Sequence, residues 1–143
     1  MNWVYDDGGR AAAGYKGEAS DCVCRAVAIA SEQPYQVVYE AMNGAAALER
    51  LTQGRRRSSA RTGVWRATWK PWLVSHGWTW TPTMRIGQGC RVHLRAGELP
   101  GGRLVVVVSK HLVAVVDGVA HDTSDPTRNG TRCVYGYYVR SAT

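Results

Sequence analysis

The chain has 143 residues, enough for one domain with a real core, and its 18 Lys and Arg outnumber 11 Asp and Glu for a formal charge of +7. It contains no apolar run of membrane length and no charged-then-apolar leader, which argues against a membrane-spanning protein and against secretion by a signal peptide. The positive balance permits an acidic partner without demanding one, and Cys22, Cys24, Cys90 and Cys133 predict separate thiols in a reducing cytoplasm, not a disulfide framework.

Residues 1–19 (MNWVYDDGGRAAAGYKGEA) are rich in Gly and small residues and predict an extended lead-in that packs Trp3, Tyr5 and Tyr15 on the body. Ser20 or Asp21 suits an N-cap. From Cys22 to Ser31 the spacing predicts a helix with Val23, Ala26, Val27 and Ala30 on its apolar stripe and Arg25 and Glu32 opposite. Cys22 then falls in the first turn, where unpaired N–H groups and the positive end of the dipole favour a thiolate. Pro34 fits the first position of a second helix that runs to about Asn43 with Val37, Val38 and Ala41 inward. Gly44 ends or kinks it, and residues 45–51 predict a further helical piece.

Gln53 to Arg61 (QGRRRSSAR) predicts a basic surface loop. Its Arg55, Arg56, Arg57 and Arg61 suit solvent first, and contact with nucleic acid or another acidic partner second, because no aromatic interleaves them as a stacking platform. Thr62 to His76 predicts a third helix carrying Val64, Thr68, Trp69, Trp72 and Leu73, kinked at Pro71 and closed by Gly77. Trp78 to Thr81 alternates like a strand, Arg91 to Leu94 predicts a short edge strand, and Cys133 to Val139 a last strand. Helices followed by antiparallel strands predict a single α+β domain over residues 1–143.

The most informative stretch is Arg103 to Pro126 (RLVVVVSKHLVAVVDGVAHDTSDP), reached through Gly101-Gly102. Asp117-Gly118 is a strong two-residue hairpin signal, since both central residues of a type I′ turn need positive φ. Pairing around it sets Val116 against Val119, Val115 against Ala120 and Val113 against Asp122. His111, Val113, Asp122 and Ser124 then share one side of the sheet, with His111 and Asp122 a diagonal pair roughly 7–8 Å apart at the backbone. A carboxylate at that spacing holds an imidazole in one tautomer and orientation. With Cys22 at a helix tip, the three residues have the chemistry of a thiol nucleophile, its base and the base's orienter.

Asp21-Cys22 opening an Ala-rich helix, then His111-Leu-Val-Ala-Val-Val, then His121-Asp122-Thr, resembles the papain-like cysteine peptidase superfamily. The likeness is to its compact branch of bacteriocin-processing (double-glycine) peptidases and small phage or bacterial proteins of similar pattern. The resemblance implies N-terminal helices packed on an antiparallel sheet, with Cys22 as nucleophile, His111 as base and acid, and Asp122 as orienting carboxylate. It also implies hydrolysis of an amide, peptide or isopeptide bond without a cofactor, in a polypeptide or a cell-wall peptide. The family's oxyanion-hole Gln, about six residues before the Cys, is replaced here by Lys16. The backbone N–H of Cys22 remains as a donor, and Lys16 and Asp21 are the candidates for positioning beside it. A fold that has lost catalysis and binds an acidic partner through the basic loop is the alternative.

Cys24 competes as nucleophile but lies roughly 200° around the helix from Cys22 and gains less from its terminus, which favours Cys22. Cys22-x-Cys24 with His111 or His121 is a weak metal pattern, lacking the two-residue gap and second Cys pair of structural zinc sites. His121 projects to the face opposite Asp122, and His76 and His93 show no partner in the sequence.

Overall fold

In the computed structural model, which describes residues 1–51 and 54–140, a mixed sheet is covered by helices on one face and by an irregular segment on the other. The elements run β1 (Trp3–Tyr5), α1 (Cys22–Ser31), α2 (Tyr35–Ala47), α3 (Arg66–Ser75), β2 (Trp78–Pro82), β3 (Arg103–Val108), β4 (His111–Val116), β5 (Val119–Asp122) and β6 (Val134–Arg140). Across the sheet their order is β1-β5-β4-β3-β6-β2. The Val and Leu of β3 and β4 read as continuous apolar runs because both faces of these central strands are buried. Val105, Val107, Leu112 and Ala114 pack under the helices with Val27, Val38, Met42 and Leu73. Leu104, Val106, Val113 and Val115 face the other way, onto Leu94, Val134 and the partly buried Val92 and Leu99.

The predicted hairpin forms in the expected register. Asp117 and Gly118 have φ of 47° and 81°, and Val116 pairs with Val119, Val115 with Ala120 and Ala114 with His121. Ser109-Lys110 turns β3 back into β4, with Val108 opposite His111. α1 ends where Glu32 turns left-handed (φ 60°) and the Arg103 guanidinium takes up the Ile29 and Ala30 carbonyls. Gly136 lets β2 and β6 close: a Cβ there would fall inside the Trp80 ring.

Several expectations are corrected. The sheet is not purely antiparallel, because β1 joins its edge parallel to β5, and Trp3 and Tyr5 are exposed instead of packed. Only the backbone of the lead-in pairs there, while Tyr15 does pack, on Tyr35 and Tyr39. α2 runs through Gly44 to Ala47, since Met42 and Ala46, one turn apart, both bury; Val38 is buried as expected, but Val37 is half exposed. The edge strand expected at 91–94 shrinks to one bridge, His93 with Cys133. That bridge draws Cys90 and Cys133 together as a disulfide across 43 residues, where the sequence predicts separate thiols. Structural disulfides belong to oxidising surroundings, so cysteine usage no longer argues for a reducing compartment. Among the described residues no helix is long and apolar enough to cross a membrane.

Candidate active site

α1 and the β4–β5 hairpin bring Cys22, His111 and Asp122 into one chain of contacts. Cys22 opens the helix, His111 opens β4 and Asp122 ends β5, so all three sit at one end of the helix–sheet interface. His111 Nε2 lies 2.6 Å from Asp122 Oδ2. Cys22, His111 and Leu112 line one cleft, and with Nε2 engaged by Asp122, Nδ1 is the ring nitrogen left to face the Cys22 sulfur.

The electrostatics follow from these contacts. Burial opposes ionisation of the Cys22 thiol, but the hydrogen bond and charge of His111, the Leu112 N–H and Arg25 outweigh it and bring the thiol below its ordinary range. Burial likewise disfavours a charged His111, yet Asp122 and the sulfur reverse this and push the imidazole up to about 9. Asp122 is held below the usual carboxylate range: burial works against it, and His111, the Thr123 N–H and Arg25 prevail. Both shifts run in the direction of a thiolate–imidazolium pair. Cys24 is its opposite. Its sulfur is fully buried against the Ala60 carbonyl, 3.6 Å away, and burial with nearby Asp21 and Cys22 pushes the thiol up to about 12.

The sequence places Arg25 opposite the apolar stripe; the structure turns it into the site. Its guanidinium bonds Asp21 Oδ1 through Nη1 and Asp122 Oδ1, 3.2 Å away, through Nη2. Asp21 in turn accepts the Tyr35 hydroxyl at 2.6 Å, and Tyr35 accepts from Arg10 at 3.2 Å. A polar network thus runs from Arg10 to His111, the ring beside the sulfur, through Tyr35, Asp21, Arg25 and Asp122. Asp21 therefore acts at a distance, as the anchor of Arg25. The one signal for this in the sequence is the i,i+4 spacing of Asp21 and Arg25. Lys16 is exposed and outside the cleft; its carbonyl, not its ammonium, is used, accepting from Arg10.

The cleft in front of Cys22 and His111 has a volume of about 360 Å³, with Val23, Val64, Trp69, Val107 and Leu112 in its walls and Arg66 and Lys110 beside them. Among the described residues no Asn or Gln lines it. The basic loop lies elsewhere and most of its charge is committed. Arg55 stacks over Trp65 at 4.3 Å, Arg56 bonds the Thr62 carbonyl, Arg57 the Ala46 and Glu49 carbonyls, and Arg61 the Glu18 carbonyl. Trp65, an aromatic beyond the loop, is thereby covered on one face by Arg55; Gln53, the first residue of the predicted loop, lies outside the described residues. His121 bonds Asp6 at 2.9 Å, His93 faces Glu98 and His76 stacks on Trp72. Among the described residues no group of three or more His, Cys, Asp or Glu could hold a metal ion. No family model, curated protein or solved structure matches the chain.

Proposed function

We infer that the chain is a thiol hydrolase that cleaves an amide bond, peptide or isopeptide, through a thioester on Cys22. The observation that carries this is Cys22 and His111 facing one cleft, with Asp122 hydrogen-bonded to the far nitrogen of the ring, the sulfur biased toward thiolate and the ring toward imidazolium. Helices laid on a sheet with the nucleophile at a helix tip also agree with the papain-like plan that the sequence resembles.

In this mechanism the Cys22 sulfur attacks the carbonyl carbon, a C–S bond forms and the carbonyl electrons move onto oxygen. The oxyanion collapses, the C–N bond breaks and His111 gives its proton to the leaving nitrogen. The now neutral ring takes a proton from water, the hydroxide attacks the thioester, and loss of the C–S bond restores the thiolate–imidazolium pair. Asp122 keeps Nδ1 aimed at the sulfur throughout. The Cys22 N–H is the available oxyanion donor, and a missing second donor costs on the order of 10²–10³ in rate, which points to a slow enzyme. The steps need no cofactor, and a polypeptide or a cell-wall peptide cross-link suits an open, partly apolar cleft.

Iodoacetamide tests the reading. Below pH 8 it should modify Cys22 rapidly and leave Cys24 untouched, and His111→Ala should slow the Cys22 reaction to that of an ordinary thiol. Slow labelling of the wild-type protein at Cys22 would overturn it.

A further inference from the structure

His111 has a second neighbourhood. On the side of the ring bounded by Asp122 lies a cavity of about 510 Å³ that does not include Cys22. Its walls hold Lys110, Arg128 and Arg132. Their charges are poorly matched within the protein. Arg132 gives Nη2 to the Ser109 carbonyl at 2.7 Å, while its Nε is buried with no hydrogen-bond partner. No carboxylate forms an ion pair with Arg128, Arg132 or Lys110 among the described residues; burial disfavours the Arg132 charge, nearby Arg128 adds to this, and Asp122 offsets it only in part. The two acids of the cavity are occupied: Asp122 by His111, Arg25 and the Thr123 N–H, Asp125 by the N–H and hydroxyl of Thr127. Arg128 and Asn129 have φ of 49° and 55° in the turn that presents the first guanidinium, a conformation common for Asn but seldom adopted by Arg. Like charges gathered beside a desolvated, unpaired N–H form a site that an anion would complete.

We propose that this cavity is a carboxylate-binding subsite, in which Arg128, Arg132 and Lys110 hold an acidic group on the leaving side of the scissile amide. This rests on the thiol-hydrolase reading. Because His111 passes its proton to the departing nitrogen, the part of the substrate that runs past the ring into the second cavity is the part that leaves as an amine. The carboxylate is either the α-carboxylate of a chain end or an acidic side chain next to the bond. Both offer two oxygens to a guanidinium fork.

Three affinity labels separate the possibilities: chloroacetyl-alanine, chloroacetyl-alanine amide and chloroacetyl-glutamate amide. Each alkylates Cys22 while laying its amide and substituent along the leaving side. In the wild-type protein a carboxylate label should react faster than the neutral amide by on the order of tenfold. A preference for chloroacetyl-alanine alone identifies a chain end as the natural group, and one for the glutamate label alone identifies a side chain. The acid-to-amide ratio should fall to near one in Arg128→Gln/Arg132→Gln, and in Arg128→Gln alone it should drop part of the way. Taking the ratio within each variant removes any change in thiol reactivity. Arg50→Gln/Arg140→Gln, with the same loss of charge at exposed positions away from the cavity, should keep the wild-type ratio. A ratio at or below one with Cys22 still fast, or a ratio that falls equally in the charge-matched control, overturns the subsite. Uniformly slow reaction of all three labels overturns the hydrolase reading instead.

Discussion

Two histidine–aspartate pairs flank β5, one residue apart. His111 meets Asp122 at 2.6 Å and His121 meets Asp6 at 2.9 Å, so bond length alone does not tell them apart. Their surroundings do. Asp122 is 4% exposed and shares its oxygens with Arg25 and the Thr123 N–H, while its histidine reaches on to a sulfur. Asp6 is 33% exposed, its other oxygen caps the Gly8 N–H, and among the described residues neither a thiol nor a guanidinium joins the pair. The lesson is that a carboxylate beside an imidazole is common hardware; exclusion of water and further partners are what set His111 apart.

Substitutions should separate the two pairs cleanly. The largest contrast is in turnover. His111→Ala or Asp122→Asn should lower hydrolysis of a responsive peptide by roughly 10²–10⁴-fold, and His121→Ala should leave it within experimental scatter. Equal losses would erase the distinction. Arg25→Met comes next, because it removes the one guanidinium shared by two buried carboxylates, Asp21 and Asp122. It should cost about 3–5 kcal/mol in denaturant unfolding, far more than a surface arginine.

The pH dependence of stability is a subtler test. The imidazole of His111 titrates at about 9 in the folded chain, above its ordinary 6.5. Its contribution is therefore fully present below pH 6.5 and is lost as the pH rises through about 9. A fall in Tm across that window should vanish in His111→Ala and persist in His121→Ala. Smallest of all, Asp6→Ala should change stability by about 1 kcal/mol or less, as expected of a pair open to solvent.

The His111–Asp122 pair was legible because two local signals suffice for it. Asp117-Gly118 dictates the turn, and the turn dictates which residues share a side of the hairpin, so His111 and Asp122 follow from parity. Cys22 follows from the cap-like Asp21 and the apolar stripe behind it. Arg25 was not legible in its true place: helical spacing sets an angle around the axis, and an arginine on the flank is the same letter whether it meets water or a buried acid. The short Trp3–Tyr5 strand and the Cys90–Cys133 link are contacts between distant segments, for which neither period nor spacing carries a signal. The same holds for Arg128 and Arg132, which look like loop residues until the turn at 127–130 folds them toward His111. Conversely, Arg55 to Arg57 are conspicuous in the sequence and largely spent on holding their own loop.

The bond between Cys90 and Cys133 has a practical side. It fastens the segment that roofs one face of the sheet, and Cys90 is exposed, open to any added thiol. The reductants customarily used to keep a nucleophilic cysteine free would also unclip that roof. A purified sample could thus lose its cover under the very conditions meant to preserve its sulfur, and a mild, titrated reductant is the better storage choice.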